Sequence, residues 1–133
     1  MTVGRHVQSA DWTMDGLPDS IGSAREHARA FLSDAARSVP TRTVEAVLLA
    51  VSELVTNAVL HAPGPYTLEV SIGDHCVHVA VTDTSPAAPV ARTPQFDGSG
   101  GLGLHMLEAL AGHVDTAAHV GGKTVSVDMD MAV

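Results

Sequence analysis

The chain has 133 residues and a mass of 13.7 kDa, the size of one domain with a core of its own. Hydrophobic residues at 45% and charged residues at 17% exclude a disordered chain, and aromatics at 3% leave the core to Val, Leu and Ala. A formal net charge of -8 speaks against binding a nucleic-acid backbone, though not against a single nucleotide held by backbone amides and a metal.

A lone Cys76 leaves no internal disulfide and suits a reducing cytoplasm. Residues 1–12 carry no apolar leader core, and no run approaches about 18 uninterrupted apolar residues. The expectation is a cytoplasmic protein with no membrane partner and no direct nucleic-acid partner.

In chain order, short alternation within Thr2–Met14 predicts an edge strand, so residues 1–15 are an N-terminal strand or tail. The turn Gly16-Leu17-Pro18-Asp19-Ser20 supplies caps for a first helix over about Asp19–Arg37, with Ile21, Ala24, Ala28, Phe31 and Leu32 as its apolar stripe. Val39-Pro40-Thr41 breaks the chain, and Thr41 or Thr43 caps a second helix that Pro63 and Pro65 end.

That second helix runs through Val44–Ala62 with no Gly or Pro inside. Glu53, Asn57 and His61 fall at i, i+4 and i+8 and share one stripe, with Val47, Val51, Val55, Ala58 and Ala62 roughly opposite. Leu49 and Leu60 flank the polar stripe, so the helix is apolar nearly all round and expected to be buried. A carboxylate and a carboxamide on such a helix need a partner, a metal or a wet cavity. An Arg beside Glu53 and backbone groups around Asn57 are the plain alternative.

Tyr66–Ile72 and Cys76–Asp83 alternate as strands around a turn at Gly73-Asp74. Thr84–Gly101 is irregular and rich in Pro, Gly and Ser, a length that in a compact domain marks a functional or mobile loop. A short helix over Leu102–Ala111 follows. Val114–Val120 and Thr124–Met131 then form a closing hairpin turned by Gly121-Gly122. The predicted fold class is α+β: a two-layer sandwich, a mixed or mostly antiparallel sheet with helices on one face, in a single domain over 1–133.

Gly98-Ser99-Gly100-Gly101-Leu102-Gly103 fits G-x-G-x-x-G literally, but loop rather than strand precedes it, so it is no dinucleotide fingerprint. Its glycines still expose N–H groups at a helix start, which suits a phosphate, although a flexible connector reads the same. Gly122-Lys123-Thr124 resembles the tail of a P-loop, yet Ala117 stands where that motif needs Gly, and a strand pattern follows. Asp83, at a strand end, is placed to accept hydrogen bonds from an exocyclic amine, or only to cap a turn. The eight histidines show no metal-ligand spacing: His75 and His78 face opposite sides of a strand, and Cys76 with His78 makes only two ligands.

Glu53-x-x-x-Asn57, Asp83, a Gly-rich helix start and Thr124, in that order, resemble the GHKL ATPase superfamily. More narrowly they resemble the single-domain bacterial anti-sigma-factor serine kinases, from about residue 15 to about 131. Ser52–Ala62 is similar to that family's N-box, Gly100-Gly101-Leu102-Gly103-Leu104 to its second glycine box, and Gly122-Lys123-Thr124-Val125 to its last-strand motif.

The resemblance implies a Bergerat-type sandwich that binds ATP with Mg2+. It makes Asn57 the magnesium ligand and Glu53 the carboxylate that activates the attacking group. Asp83 would hold the adenine amine, and Thr124 would assist through a base-bound water. Gly98–Leu104 would cover the phosphates, residues 84–101 forming the ATP lid and glycine box. His61 would reach a phosphate or pack. Ser85 stands where the family's first glycine box has Gly, which predicts weaker lid and purine contacts.

The function so implied is an ATP-dependent protein serine/threonine kinase that is also an anti-sigma factor. Its expected partners are a sigma factor and a small antagonist protein phosphorylated on Ser, with a homodimer compatible with the family. A nucleotide-binding regulatory module without phosphotransfer is the alternative. With only about 17 residues before the first helix, a sensor histidine kinase is not expected.

Overall fold

A computed structural model of the chain describes residues 8–36, 38–62, 64–84 and 114–131. In chain order these hold β1 (Gln8–Met14), α1 (Ser20–Asp34), α2 (Thr41–His61), β2 (Tyr66–Ile72), β3 (Cys76–Asp83), β4 (Val114–His119) and β5 (Gly122–Asp130). The strands form a single sheet in the order β1-β2-β3-β5-β4, and every described ladder is antiparallel. The expected α+β sandwich is therefore present, with an antiparallel rather than mixed sheet among the described residues. The predicted helix over 102–111 lies outside them.

Alternation is what gives the sheet its two faces. Tyr66, Leu68, Val70 and Ile72 of β2, Val77, Val79 and Val81 of β3, and Val125, Val127 and Met129 of β5 point inward and are buried. The side chains between them, such as Thr67, Glu69, His78, Thr82, Thr124 and Asp128, line the other face, where hydroxyls and charges pair across strands. Ser9 Oγ and Ser71 Oγ lie 3.1 Å apart, and His78 Nδ1 lies 2.8 Å from Asp128 Oδ1.

Helix α2 covers the inward face. Val47, Val51 and Val55 recur every four residues, are fully buried, and pack into the valine core with Leu54 and Ala58. Each buried valine contributes about 1.5–3 kcal/mol, so a charge at Val51 would open the layer. Helix α1 lies beside α2 and brings Ala24, Ala28 and Leu32 to the same core. Its tie to β1 is aromatic: Trp12 stacks on His27 at 5.4 Å and meets Phe31 edge-on at 6.2 Å. Its tie to β2 is polar, Ser20 Oγ lying 2.8 Å from the buried Tyr66 hydroxyl.

Several local expectations change. α1 stops at Asp34, where Ala35 turns extended at φ -64 and ψ 140, short of the predicted Arg37. Pro40 occupies the N-cap position of α2, so neither Thr41 nor Thr43 caps it: Thr41 is the first helical residue, and Thr43 is buried within the first turn. Nor is α2 buried all round, since Leu60 is 54% exposed and His61 is exposed, leaving the polar stripe half open to solvent. Long and apolar enough in composition to cross a membrane, this helix instead packs on the sheet, a fold compatible with a soluble protein. The closing hairpin turns at Val120-Gly121, with Gly121 in the left-handed region at φ 84, one residue earlier than predicted.

Candidate functional site

The alternation of the last strand decides what the sheet offers to the helix. With β5 beginning at Gly122, Lys123 falls on the inward face and pairs in register with Asp83. Lys123 Nζ lies 2.7 Å from Asp83 Oδ2, with the two side chains 5% and 3% exposed. Removing two charges from water costs several kcal/mol per ion, which their attraction repays only in good geometry. Such a pair is weak support for stability and directs attention to the cavity beside it.

The cavity lies between the C-terminal half of α2 and the ends of β3 and β5. From the helix come Leu54, Asn57, Ala58 and His61; from the strands come Val81, Asp83, Lys123 and Val125. The cavity volume bounded by the described residues is about 10 Å3, room for about one water. Its walls are mainly aliphatic. Its polar groups are few and convergent: a carboxamide and an imidazole on one side, an ion pair on the other.

The helix period explains the first side. Asn57 and His61, one turn apart, both reach the cavity, and His61, exposed at the helix end, lines it rather than packing inward. Glu53 lies one further turn back, half-buried and outside the cavity lining. Burial pushes its carboxyl above the ordinary carboxylate value.

Thr124, the remaining predicted site residue on the last strand, stands on the opposite face of the sheet from Asp83. Its Oγ1 lies 2.8 Å from Thr82 Oγ1 and 3.3 Å from His119 Nε2, among the outward polar side chains. The structure does not bring it to the cavity, and Lys123 occupies the inward position instead. Sequence reasoning left Lys123 between the Gly121-Gly122 turn and a strand from Thr124, and within the last-strand motif it singled out Thr124 instead. The alternation of Lys123, Val125, Val127 and Met129 against Thr124, Ser126, Asp128 and Asp130 was the available signal.

Ser85, Gly98, Gly100, Gly101, Leu102, Gly103 and Leu104, with nearly all of the predicted lid over 84–101, lie outside the described residues. Thr84, the last residue before them, is exposed. Among the described residues no three His, Cys, Asp or Glu side chains converge as metal ligands.

The profile of the histidine kinase-like ATPase domain family matches residues 15–129. Among solved structures, the RsbU and RsbW domains of Rv1364c from Mycobacterium tuberculosis are similar, with a TM-score of 0.67 and 21% identity. That alignment covers 92% of this chain and 32% of the other, so the chain spans about a third of it. The histidine kinase domain of the blue-light activated histidine kinase EL346 from Erythrobacter litoralis is similar with a TM-score of 0.52 and 18% identity, covering 85% of this chain and 60% of that one. These likenesses concern the fold. No curated protein matches the chain.

Proposed function

Because this chain belongs to the histidine kinase-like ATPase domain family, we propose that it binds ATP in the cavity between α2 and the β3–β5 sheet end, and that it acts as a protein serine/threonine kinase and anti-sigma factor in the cytoplasm. The observation that carries this reading is the convergence of Asn57, His61, Asp83 and Lys123 on one mostly aliphatic pocket.

Asp83, at the pocket's inner wall, accepts the exocyclic amine of the base, while Leu54, Val81 and Val125 flank its rings. Asn57 and His61, nearer the helix end, face the triphosphate. Ser85 and Gly98–Leu104 remain in this reading, on sequence grounds, as lid and phosphate contacts; Thr124 does not.

Mg2+ fits the donor set. It is a hard ion often held by only one or two protein oxygens with phosphates and waters, and the half-buried Asn57 side chain offers a neutral oxygen in the pocket. Bound there, it would offset phosphate charge.

Glu53 lies one helical turn from Asn57, half-buried and outside the pocket lining, and in this reading faces the acceptor protein. It takes the proton from the acceptor's serine hydroxyl as that oxygen bonds the γ-phosphorus and the bridge to the β-phosphate breaks, releasing ADP. A carboxyl held above its ordinary value is a better proton acceptor at neutral pH. The acceptor in this reading is a small anti-sigma-factor antagonist, the silenced partner is a sigma factor, and a homodimer is compatible with both.

Incubation with labelled ATP and candidate antagonist proteins tests the proposal. Phosphate transfer to serine, reduced roughly 100-fold or more in Glu53→Ala, supports it. ATP binding without transfer to any candidate favours the regulatory module instead.

A further inference from the structure

The Asp83–Lys123 pair has a consequence for recognition that goes beyond ATP binding as such. Both side chains are more than nine-tenths buried, and both border the pocket that Asn57 and His61 close from the other side. An uncharged nucleobase entering that pocket cannot take the place of either charge, because breaking a buried ion pair leaves its other member uncompensated at a cost of several kcal/mol. The base must therefore settle against the pair as it stands.

The two groups offer it different chemistry. A carboxylate only accepts hydrogen bonds and an ammonium only donates them, and each can make several. Side by side at 2.7 Å, they form one acceptor and one donor at the pocket wall. The edge that answers them carries a donor next to an acceptor, which is the exocyclic amine of adenine beside a ring nitrogen.

We propose that Lys123 is a base-reading residue: its ammonium donates to the adenine ring nitrogen next to the amine that Asp83 accepts. This rests on the ATP reading above and deepens it, giving the pocket a two-point test of the base where a lone carboxylate makes a one-point test. Position helps to enforce it. A side-chain carbon at Gly122 would fall against the Asp83 carbonyl oxygen, so the strand ends approach closely just where Lys123 meets Asp83.

The test compares ATP with 1-deaza-ATP and 7-deaza-ATP, which each lack one of the two ring nitrogens flanking the amine, by calorimetric titration of the whole chain. The wild type should bind one of the two analogues roughly tenfold or more weaker than ATP, the loss expected of a hydrogen bond from a charged donor. Lys123→Met should weaken ATP to a similar degree and bind ATP and that analogue alike, since the contact is already gone.

The wild-type arm needs no variant and holds even if Lys123→Met folds poorly. Binding of both analogues within twofold of ATP by the wild type overturns the inference while leaving ATP binding in place. Failure of the wild type to bind ATP at all overturns the ATP reading and this inference with it.

Discussion

Gly122 lies against the backbone of Asp83: a side-chain carbon built on it would meet that residue's carbonyl oxygen, with its carbonyl carbon at 3.0 Å. The glycine opens β5 one residue before Lys123, so the ion pair depends on this close approach. Gly122→Ala must push the strand ends apart. The expected cost is about 1–3 kcal/mol in stability by denaturant titration, with weaker ATP binding. A variant as stable as the wild type and equal in ATP affinity would show that the approach is not needed.

Glu53 makes a pH-dependent prediction. Burial raises its carboxyl, so the folded state keeps the proton to higher pH than the unfolded chain does. Between those two values the folded state binds more protons, and stability falls as pH rises; above both, the penalty is fully present. Glu53→Gln removes it. Because the side chain is partly exposed, solvent screening keeps the gain small, about 1–3 °C in Tm at pH 7.5, shrinking to nothing near pH 4. A Tm difference that ignores pH would contradict the account.

Asn57→Ala separates metal-dependent from base-dependent affinity. Without the carboxamide oxygen, Mg-ATP binding should drop roughly tenfold or more, while adenosine, which carries no phosphate, should bind nearly as before. Calorimetry with both ligands reads the split. Equal losses for the two would assign Asn57 to the base.

The Ser20–Tyr66 contact ties the start of α1 to the start of β2, away from the pocket lining. Tyr66→Phe leaves the Ser20 hydroxyl without that partner and should cost about 1 kcal/mol, near 4 °C in Tm, at unchanged ATP affinity. A loss of ATP binding equal to that of Asn57→Ala would mean that the contact shapes the site.

Much of this was legible in the chain. β2 and β3 fall on the residues that period-two alternation marks, and α2 ends where Pro63 and Pro65 follow. Asn57, His61 and Asp83 reach one pocket because helical spacing and a strand-end position are local properties.

Legibility failed where tertiary geometry chose between local options. Gly121 and Gly122 look alike as turn residues, but only Gly121 takes the left-handed turn conformation, and Gly122 is needed as the small residue beside Asp83. With the turn at Val120-Gly121 the strand takes in Lys123, whose inward face follows from its alternation with Val125, Val127 and Met129. Pro40 similarly displaced Thr41 and Thr43 as cap, since its fixed φ suits the flanking position and the turn before it.

The most direct test of the central claim, that adenine nucleotide binds at Asp83 between α2 and the sheet, is a thermal-shift titration of the wild type and Asp83→Asn with ATP and magnesium. At a ligand concentration 100 times Kd, the wild-type Tm should rise by roughly 10 °C, with little or no rise in Asp83→Asn. A wild-type Tm that stays flat to millimolar ATP, or a rise that Asp83→Asn leaves intact, would contradict it.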